Sequence, residues 1–122
     1  MKKFALIIII FWVFQTHANE IDTPKFLYKI LSLNEWADSQ DESVLQLTED
    51  EVPYIHFVEQ DQIERALDLN WSHKPAVILK IDTSALDGDL VYETDRFGLG
   101  KYFNLYFGVI PLYAVVEAIP WQ

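Results

Sequence analysis

The fold is decided between residues 52 and 81, which read VPYIHFVEQDQIERALDLNWSHKPAVILKI. Residues 52–58 combine β-branched and aromatic side chains and predict a strand. Residues 59–70 place apolar side chains at the three- and four-residue spacing of one helix face. The apolar run at residues 76–81 predicts a second, buried strand. A helix between two strands, with further strands on both sides, indicates an α+β domain.

Shorter signals extend this pattern to both ends of the chain. Phe26–Leu31 predicts a strand, and Ser32 with Glu35 fits a capping box that begins a short helix. Further apolar or alternating segments are Ser43–Leu47, Leu90–Glu93, Tyr102–Phe107 and Leu112–Ile119. Turns are expected at Asp87-Gly88 and at Gly108–Pro111. The sequence therefore predicts five or six strands and one or two helices.

The first 18 residues are typical of a cleavable bacterial signal peptide. Lys2 and Lys3 precede the apolar run Phe4–Phe14, and the small side chains of Thr16 and Ala18 suit a signal peptidase. The run is 11 residues long, whereas a spanning helix needs about 20 apolar residues. We therefore expect cleavage after Ala18 and a periplasmic or secreted protein that meets a membrane only through the uncleaved signal. Residues 19–25 are expected to form a flexible leader before one domain at residues 26–122.

Cleavage would leave 104 of the 122 residues, with a strongly acidic balance. Seven Lys and Arg residues would remain against 19 Asp and Glu residues, a formal charge of −12. Such a surface repels phosphate backbones, which argues against nucleic acid as a partner. The chain has no Cys, which excludes disulfides, thiolate catalysis and Cys-based zinc sites.

Several segments together resemble a family of small bacterial domains, the domain of unknown function 952 family. The resemblance rests on YKI at residues 28–30, YIHFV at residues 54–58 with Gln62 six residues after His56, Glu93 at a strand end, and FNLYFGVIPL at residues 103–112. These segments follow the family's order and cover nearly all of residues 26–121.

The family is similar to the ADP-ribosyltransferase fold, which implies a small split antiparallel sheet, one or two helices and a nucleotide-like pocket. The resemblance implies that His56, Glu93 and their neighbours line this pocket. The family pattern carries a second His, which falls on Leu105 in the ungapped match and on Asn104 after a slip of one residue. Val58 also replaces a Ser of the pattern. A site that needs two imidazoles cannot operate in this chain.

His56 and Glu93 are the candidate catalytic residues. The His56 side chain points away from those of its apolar neighbours, where it could bind a hydroxyl or phosphate or transfer a proton. The alternative is a core His that is bonded to a backbone carbonyl. Glu93 could orient a ribose hydroxyl, or it could face solvent or pair with Arg96. The candidate ligand-binding set is Tyr28, His56, Gln62, Glu93, Asn104 and Tyr106.

No metal site is predicted, and no cofactor is established, although the resemblance admits NAD. His56 and His73 are the only His residues after the signal, and their separation matches no local ligand pattern. The acidic run Glu49–Glu51 lacks the alternating oxygen ligands and the Gly of an EF-hand loop.

Two functions remain open. The first is an exported module that binds an unknown small molecule or protein on an ADP-ribosyltransferase-like scaffold. The second is a transferase or hydrolase that acts on NAD or an ADP-ribose-type ligand through His56 and Glu93. The missing second imidazole favours binding over catalysis.

Overall fold

The structure is a computed structural model that describes residues 22–48, 53–95, 97, 98 and 100–122. Within these residues, the elements are β1 (Phe26–Ser32), α1 (Leu33–Ser39), β2 (Tyr54–His56), α2 (Ile63–Asn70), β3 (Ala76–Asp82), β4 (Asp87–Thr94), β5 (Lys101–Val109) and β6 (Val115–Trp121). Three short 3₁₀ turns lie at Gln60–Gln62, Thr83–Ala85 and Leu112–Ala114. The α+β class is confirmed. The predicted signal peptide and the acidic run Glu49–Glu51 lie outside the described residues.

The strands form two three-stranded antiparallel sheets. The first sheet has the order β1-β3-β6, and the second sheet has the order β2-β5-β4. A backbone bridge joins the two sheets, because Tyr28 and Val58 exchange hydrogen bonds of 2.8 and 2.9 Å. The likeness to the ADP-ribosyltransferase fold stays a prediction.

The apolar core lies between the two sheets. Strand residues at alternate positions supply it, since successive side chains of a strand point to opposite faces. Its largest fully buried apolar side chains are Leu27, Leu31, Phe57, Leu79, Ile81, Leu105 and Ile110. Each apolar Å² removed from water stabilises the fold by about 25 cal/mol, and this burial replaces the covalent links that the chain lacks.

The predicted capping box begins α1. The Ser32 hydroxyl accepts a hydrogen bond from the Glu35 N–H at 3.1 Å, and Glu35 Oε1 accepts one from the Ser32 N–H at 3.0 Å. Glu35 Oε2 also accepts from the Thr48 N–H at 3.2 Å. One carboxylate therefore fixes the start of the helix and the segment that leads towards β2.

Helix α2 packs on the outer face of the first sheet. Its buried residue Leu67 contacts a cluster that includes Tyr28, Val58 and Ile78. Ile63 and Ala66 are half-buried against the same cluster, whereas Asn70 is exposed. The predicted apolar face is thus confirmed, and a 3₁₀ turn precedes a helix that is shorter than the pattern suggested.

The alternating segment at Ser43–Leu47 does not form a strand. Only Val44 makes a β-bridge, to Pro111, although Leu45 is buried in the core. Burial of alternate side chains therefore produces the pattern here without a paired strand.

Turns were predicted at Asp87-Gly88 and at Gly108–Pro111. Both predictions were wrong for the glycine, because each glycine lies within a strand. Gly88 lies in β4 and Gly108 in β5, at a point where the register between these strands shifts. The backbones approach so closely that a Cβ on Gly108 would lie 2.0 Å from the Asp87 carbonyl oxygen. Gly88 also has a φ of 134°. Close contact between strands, rather than a chain reversal, requires both glycines.

Candidate functional site

A row of polar and aromatic side chains covers the outer face of the second sheet. Strand alternation explains it, because the intervening residues Ile55, Phe103 and Leu105 point into the core. The outward side chains include Tyr54 and His56 from β2, Tyr102, Asn104 and Tyr106 from β5, and Glu93 from β4. The register places His56 opposite Asn104 and Tyr54 opposite Tyr106.

Four of these side chains form a continuous hydrogen-bonded group, which we call the polar row: His56, Asn104, Glu93 and Tyr106. His56 Nδ1 lies 3.1 Å from Asn104 Oδ1. The Asn104 amide nitrogen donates to Glu93 Oε2 at 2.9 Å, and the Tyr106 hydroxyl donates to the same oxygen at 2.5 Å. The polar row therefore connects all three strands of the second sheet.

The bonding pattern fixes where the protons lie. The ionised Glu93 side chain can only accept, so the amide nitrogen of Asn104 faces it. The amide oxygen then faces His56, and Nδ1 must carry a proton to donate to it. In the neutral imidazole, Nε2 is consequently the accepting nitrogen.

Hydrogen bonds also set the charges of the row. The bonds from Tyr106 and then Asn104 hold the pKa of Glu93 below its usual range. The same bond to Glu93 raises the pKa of Tyr106 to about 12. At neutral pH the pair is therefore a carboxylate and a phenol. Both bonds end on Oε2, so neither of them uses Oε1.

Asn104 is the buried member of the row, with 3% of its surface exposed. His56, Glu93 and Tyr106 are half-buried around it. A buried amide that bonds on both sides holds its two neighbours in one orientation, because loss of either bond would leave a buried polar group unpaired.

Aromatic rings surround the row. The ring centroids of His56 and Tyr102 are 4.7 Å apart, and those of Tyr54 and Tyr106 are 5.2 Å apart. A pocket of about 370 Å³ opens beside His56. Its lining residues are Tyr54, His56, Leu69, Asn70, Asp95, Phe97 and Tyr102. The site thus combines polar groups with apolar ring faces, as small-ligand sites commonly do.

The structure brings four of the six candidate binding residues together, and it places Tyr28 and Gln62 elsewhere. Tyr28 is buried beneath α2 on the first sheet. Gln62 accepts from the Glu59 N–H at 2.8 Å and donates to the Lys101 carbonyl at 2.8 Å, so its amide ties the start of α2 to β5. Arg96, the alternative partner considered for Glu93, lies outside the described residues.

The candidate set omitted Tyr54 and Tyr102, whose rings flank the row. The alternation of Tyr54 with His56, and of Tyr102 with Asn104 and Tyr106, is the signal that could have included them. Of the two positions considered for the second His, only Asn104 faces His56, whereas Leu105 is a core residue.

Metal-binding clusters and membrane-spanning helices are both absent from the part of the chain that the structure describes. No group of three or more His, Asp or Glu side chains in residues 22–48, 53–95, 97, 98 and 100–122 could hold a metal ion. Neither α-helix there has the length and apolar character to cross a bilayer.

Comparison with known proteins places this chain in a family. No curated protein matches it. Protein CC0527 from Caulobacter crescentus has a solved structure that matches with a TM-score of 0.68 and 20% identity, over 80% of this chain and 86% of that chain. A double mutant of the same protein matches with the same TM-score at 19% identity. At this identity the likeness shows the fold alone. The model of the family described as "Protein of unknown function (DUF952)" matches residues 30–118, and the chain therefore belongs to the DUF952 family.

Proposed function

We propose that this chain is an exported ligand-binding module, and that its ligand carries neighbouring hydroxyl groups that bind at the polar row. The observation that carries the proposal is the buried amide of Asn104, which bonds to both His56 and Glu93. Because this amide orients both side chains before a ligand arrives, binding loses little side-chain entropy. One hydroxyl donates to Glu93 Oε1, and a second lies beside the His56 imidazole.

The aromatic neighbours favour a ring-shaped ligand. The rings of Tyr54 and Tyr102 lie beside the row, and the 370 Å³ pocket extends from them to Phe97. Sugar-like rings present C–H groups on their faces and hydroxyls on their edges. The faces would pack on the aromatic rings while the edge hydroxyls bond to the row.

Charge favours a neutral or cationic ligand over a polyphosphate. Glu93 is ionised at neutral pH because its hydrogen bonds lower its pKa. The predicted mature chain has a formal charge of −12. Both charges disfavour a phosphate close to the row.

The test is an NMR titration of the purified protein with methyl riboside, ADP-ribose and NAD as separate probes. We expect saturable shifts at His56, Glu93 and Asn104 with methyl riboside. The variant Asn104→Leu should weaken this binding at least tenfold, because both oriented partners lose the amide. Asn34→Leu makes the same change on an exposed part of α1 and should leave binding unchanged. Absence of shifts at millimolar concentrations of all three probes would overturn the proposal.

A second candidate function is a transferase or hydrolase that acts on NAD or an ADP-ribose-type ligand. One observation favours it: Asn104 directs the proton of the neutral imidazole to Nδ1, which makes Nε2 a proton acceptor for general base catalysis. Release of nicotinamide from NAD, lost in His56→Gln, would support this function. Binding of a probe without any turnover would support the binding module.

A further inference from the structure

A second opening lies between the two sheets, on the other side of His56. Beyond the bridge between Tyr28 and Val58, β1 and β2 do not pair, and a cleft of about 650 Å³ separates them. We call this space the inter-sheet cleft; Lys29, Ile30, Glu35, Trp71 and Lys74 are among its lining residues. Its volume is within the range of about 300–1,000 Å³ that is usual for ligand sites.

His56 separates the inter-sheet cleft from the polar row. Its imidazole bonds to Asn104 in the row, whereas its backbone carbonyl accepts a hydrogen bond of 2.9 Å from Lys29 Nζ. A ligand in the cleft would therefore contact a different side of the strand from a ligand in the row.

Strand β1 presents an open backbone edge to the cleft. Residues of a strand alternate between bonding to one neighbour and to the other. The backbone of Tyr28 bonds to Val58, whereas the Lys25 carbonyl accepts from the Thr83 N–H just after β3. The backbone N–H and C=O groups of the even-numbered residues of β1 therefore point towards β2. Ile30 thus directs its N–H and C=O into the cleft, and no described residue bonds to either group. Two backbone groups at strand spacing are a template for an added strand.

The cleft also concentrates positive charge in an acidic chain. Lys29 is 5% exposed between the core residues Leu27 and Leu31, and its ammonium group reaches the cleft wall at the His56 carbonyl. Lys74 is exposed on the same cleft. The carboxylate of Glu35 also lines the cleft and keeps its negative charge while it accepts backbone N–H groups, so the two lysines and this carboxylate leave a net charge of 2 − 1 = +1. A negative group on a partner would therefore be attracted to this cleft.

We propose that the inter-sheet cleft binds an extended, carboxylate-bearing peptide segment of another protein, because the open edge of Ile30 lies beside the ammonium groups of Lys29 and Lys74. The peptide adds as a short strand and exchanges two hydrogen bonds with Ile30. Its carboxylate lies towards the two lysines, and one of its side chains packs on Trp71. Two copies of this acidic chain repel each other, so a second copy does not supply the segment.

The test uses the acetylated tetrapeptide Thr-Val-Thr-Val, once with a free C-terminal carboxylate and once as the C-terminal amide. NMR follows the Ile30 amide of the purified protein during each titration. We expect saturable shifts at Ile30 with the free acid and about tenfold weaker binding of the amide. Lys74→Met should reduce this difference, because only Lys29 then remains beside the carboxylate, whereas Lys101→Met, a matched change at an exposed residue of β5, should preserve it.

Three results would overturn the proposal. The first is no shift at Ile30 with millimolar free acid, and the second is equal affinity for acid and amide. The third is a shift at Ile30 that follows protein concentration without peptide, which would mean that a second copy fills the cleft. Asn104→Leu should leave peptide binding unchanged, so failure of the polar row as a ligand site would be seen separately.

Discussion

The hydrogen bond between Tyr106 and Glu93 governs how both residues titrate. It lowers the pKa of Glu93 and raises that of Tyr106 to about 12. The contribution of Glu93 to stability is therefore present at neutral pH and is lost as the pH falls through its lowered pKa. The contribution of Tyr106 is complete below the usual tyrosine pKa of about 10 and is lost as the pH rises through about 12.

Glu93→Gln should return the pKa of Tyr106 towards about 10, because the acceptor loses its charge. The measurement is a pH titration of the tyrosine Cζ resonances by ¹³C NMR, with Tyr106→Phe to assign the signal. At pH 11 the wild-type Tyr106 should remain mostly protonated. Titration of wild-type Tyr106 near pH 10 would contradict the hydrogen bond.

Sequence reasoning identified the members of the polar row but not their contacts. His56 and Glu93 were candidates because the family pattern contains them, Tyr106 was a candidate because its aromatic ring could stack on a ligand, and Asn104 was one of two alternatives for the absent His. The contact between His56 and Asn104 depends on the register of β2 and β5, which lie 48 residues apart at these positions. Local patterns do not encode that register, so the choice between Asn104 and Leu105 needed the structure.

At the scale of elements, the close approach of β4 and β5 at their register shift depends on two glycines, Gly88 and Gly108. Gly108→Ala should destabilise the protein by about 1–3 kcal/mol, because the new Cβ would overlap the Asp87 carbonyl. Chemical denaturation measures the change. Gly100→Ala is the control, since its Cβ would meet the Tyr102 ring at an ordinary 3.5 Å. Equal stability of the two variants would show that the strands do not approach as described.

The capping box gives a second prediction at this scale. Ser32→Ala should reduce the free energy of unfolding by about 1 kcal/mol, because the Glu35 N–H loses its acceptor. The same denaturation experiment tests it. Ser72→Ala, at an exposed loop position, should change stability by less than about 0.5 kcal/mol. A loss of similar size in both variants would count against the cap.

Local sequence patterns predicted an element correctly where contacts between residues close in the chain stabilise that element. The capping box and the apolar face of α2 depend on residues three or four apart, and both are confirmed. Asp87-Gly88 resembles a turn signal, but the need for Gly there comes from Gly108, which is 20 residues away. The inward positions predicted in Ser43–Leu47 are confirmed, since Leu45 is buried and Val44 and Leu47 are half-buried, although Val44 alone in this segment makes a β-bridge.

At the scale of the whole molecule, composition and order of elements were enough for the α+β class. The division into two sheets followed from the family resemblance and not from periodicity. Strand order is a long-range property: β5 lies between β2 and β4, and β3 lies between β1 and β6. Patterns among neighbouring residues of the chain therefore do not predict either strand order.

The predicted signal peptide leads to a testable prediction about export. Expression of the full chain in a bacterium should yield a mature protein that begins at Asn19, because signal peptidase would cut after Ala18. Mass spectrometry of the intact protein from periplasmic and medium fractions measures this. Ala18→Leu should block processing, whereas Ala37→Leu, far from the site, should not. Full-length protein in every fraction would contradict cleavage.

The bridge between Tyr28 and Val58 also fixes the shape of the cleft before any partner arrives. Its two backbone hydrogen bonds hold one end of the cleft at strand spacing. The hydrogen bond from Lys29 Nζ to the His56 carbonyl spans the cleft, and buried side chains of both sheets pack in one shared core. A partner therefore meets a preformed opening and does not have to separate the two sheets. The protein should accordingly be selective for segments that already fit the width of the cleft.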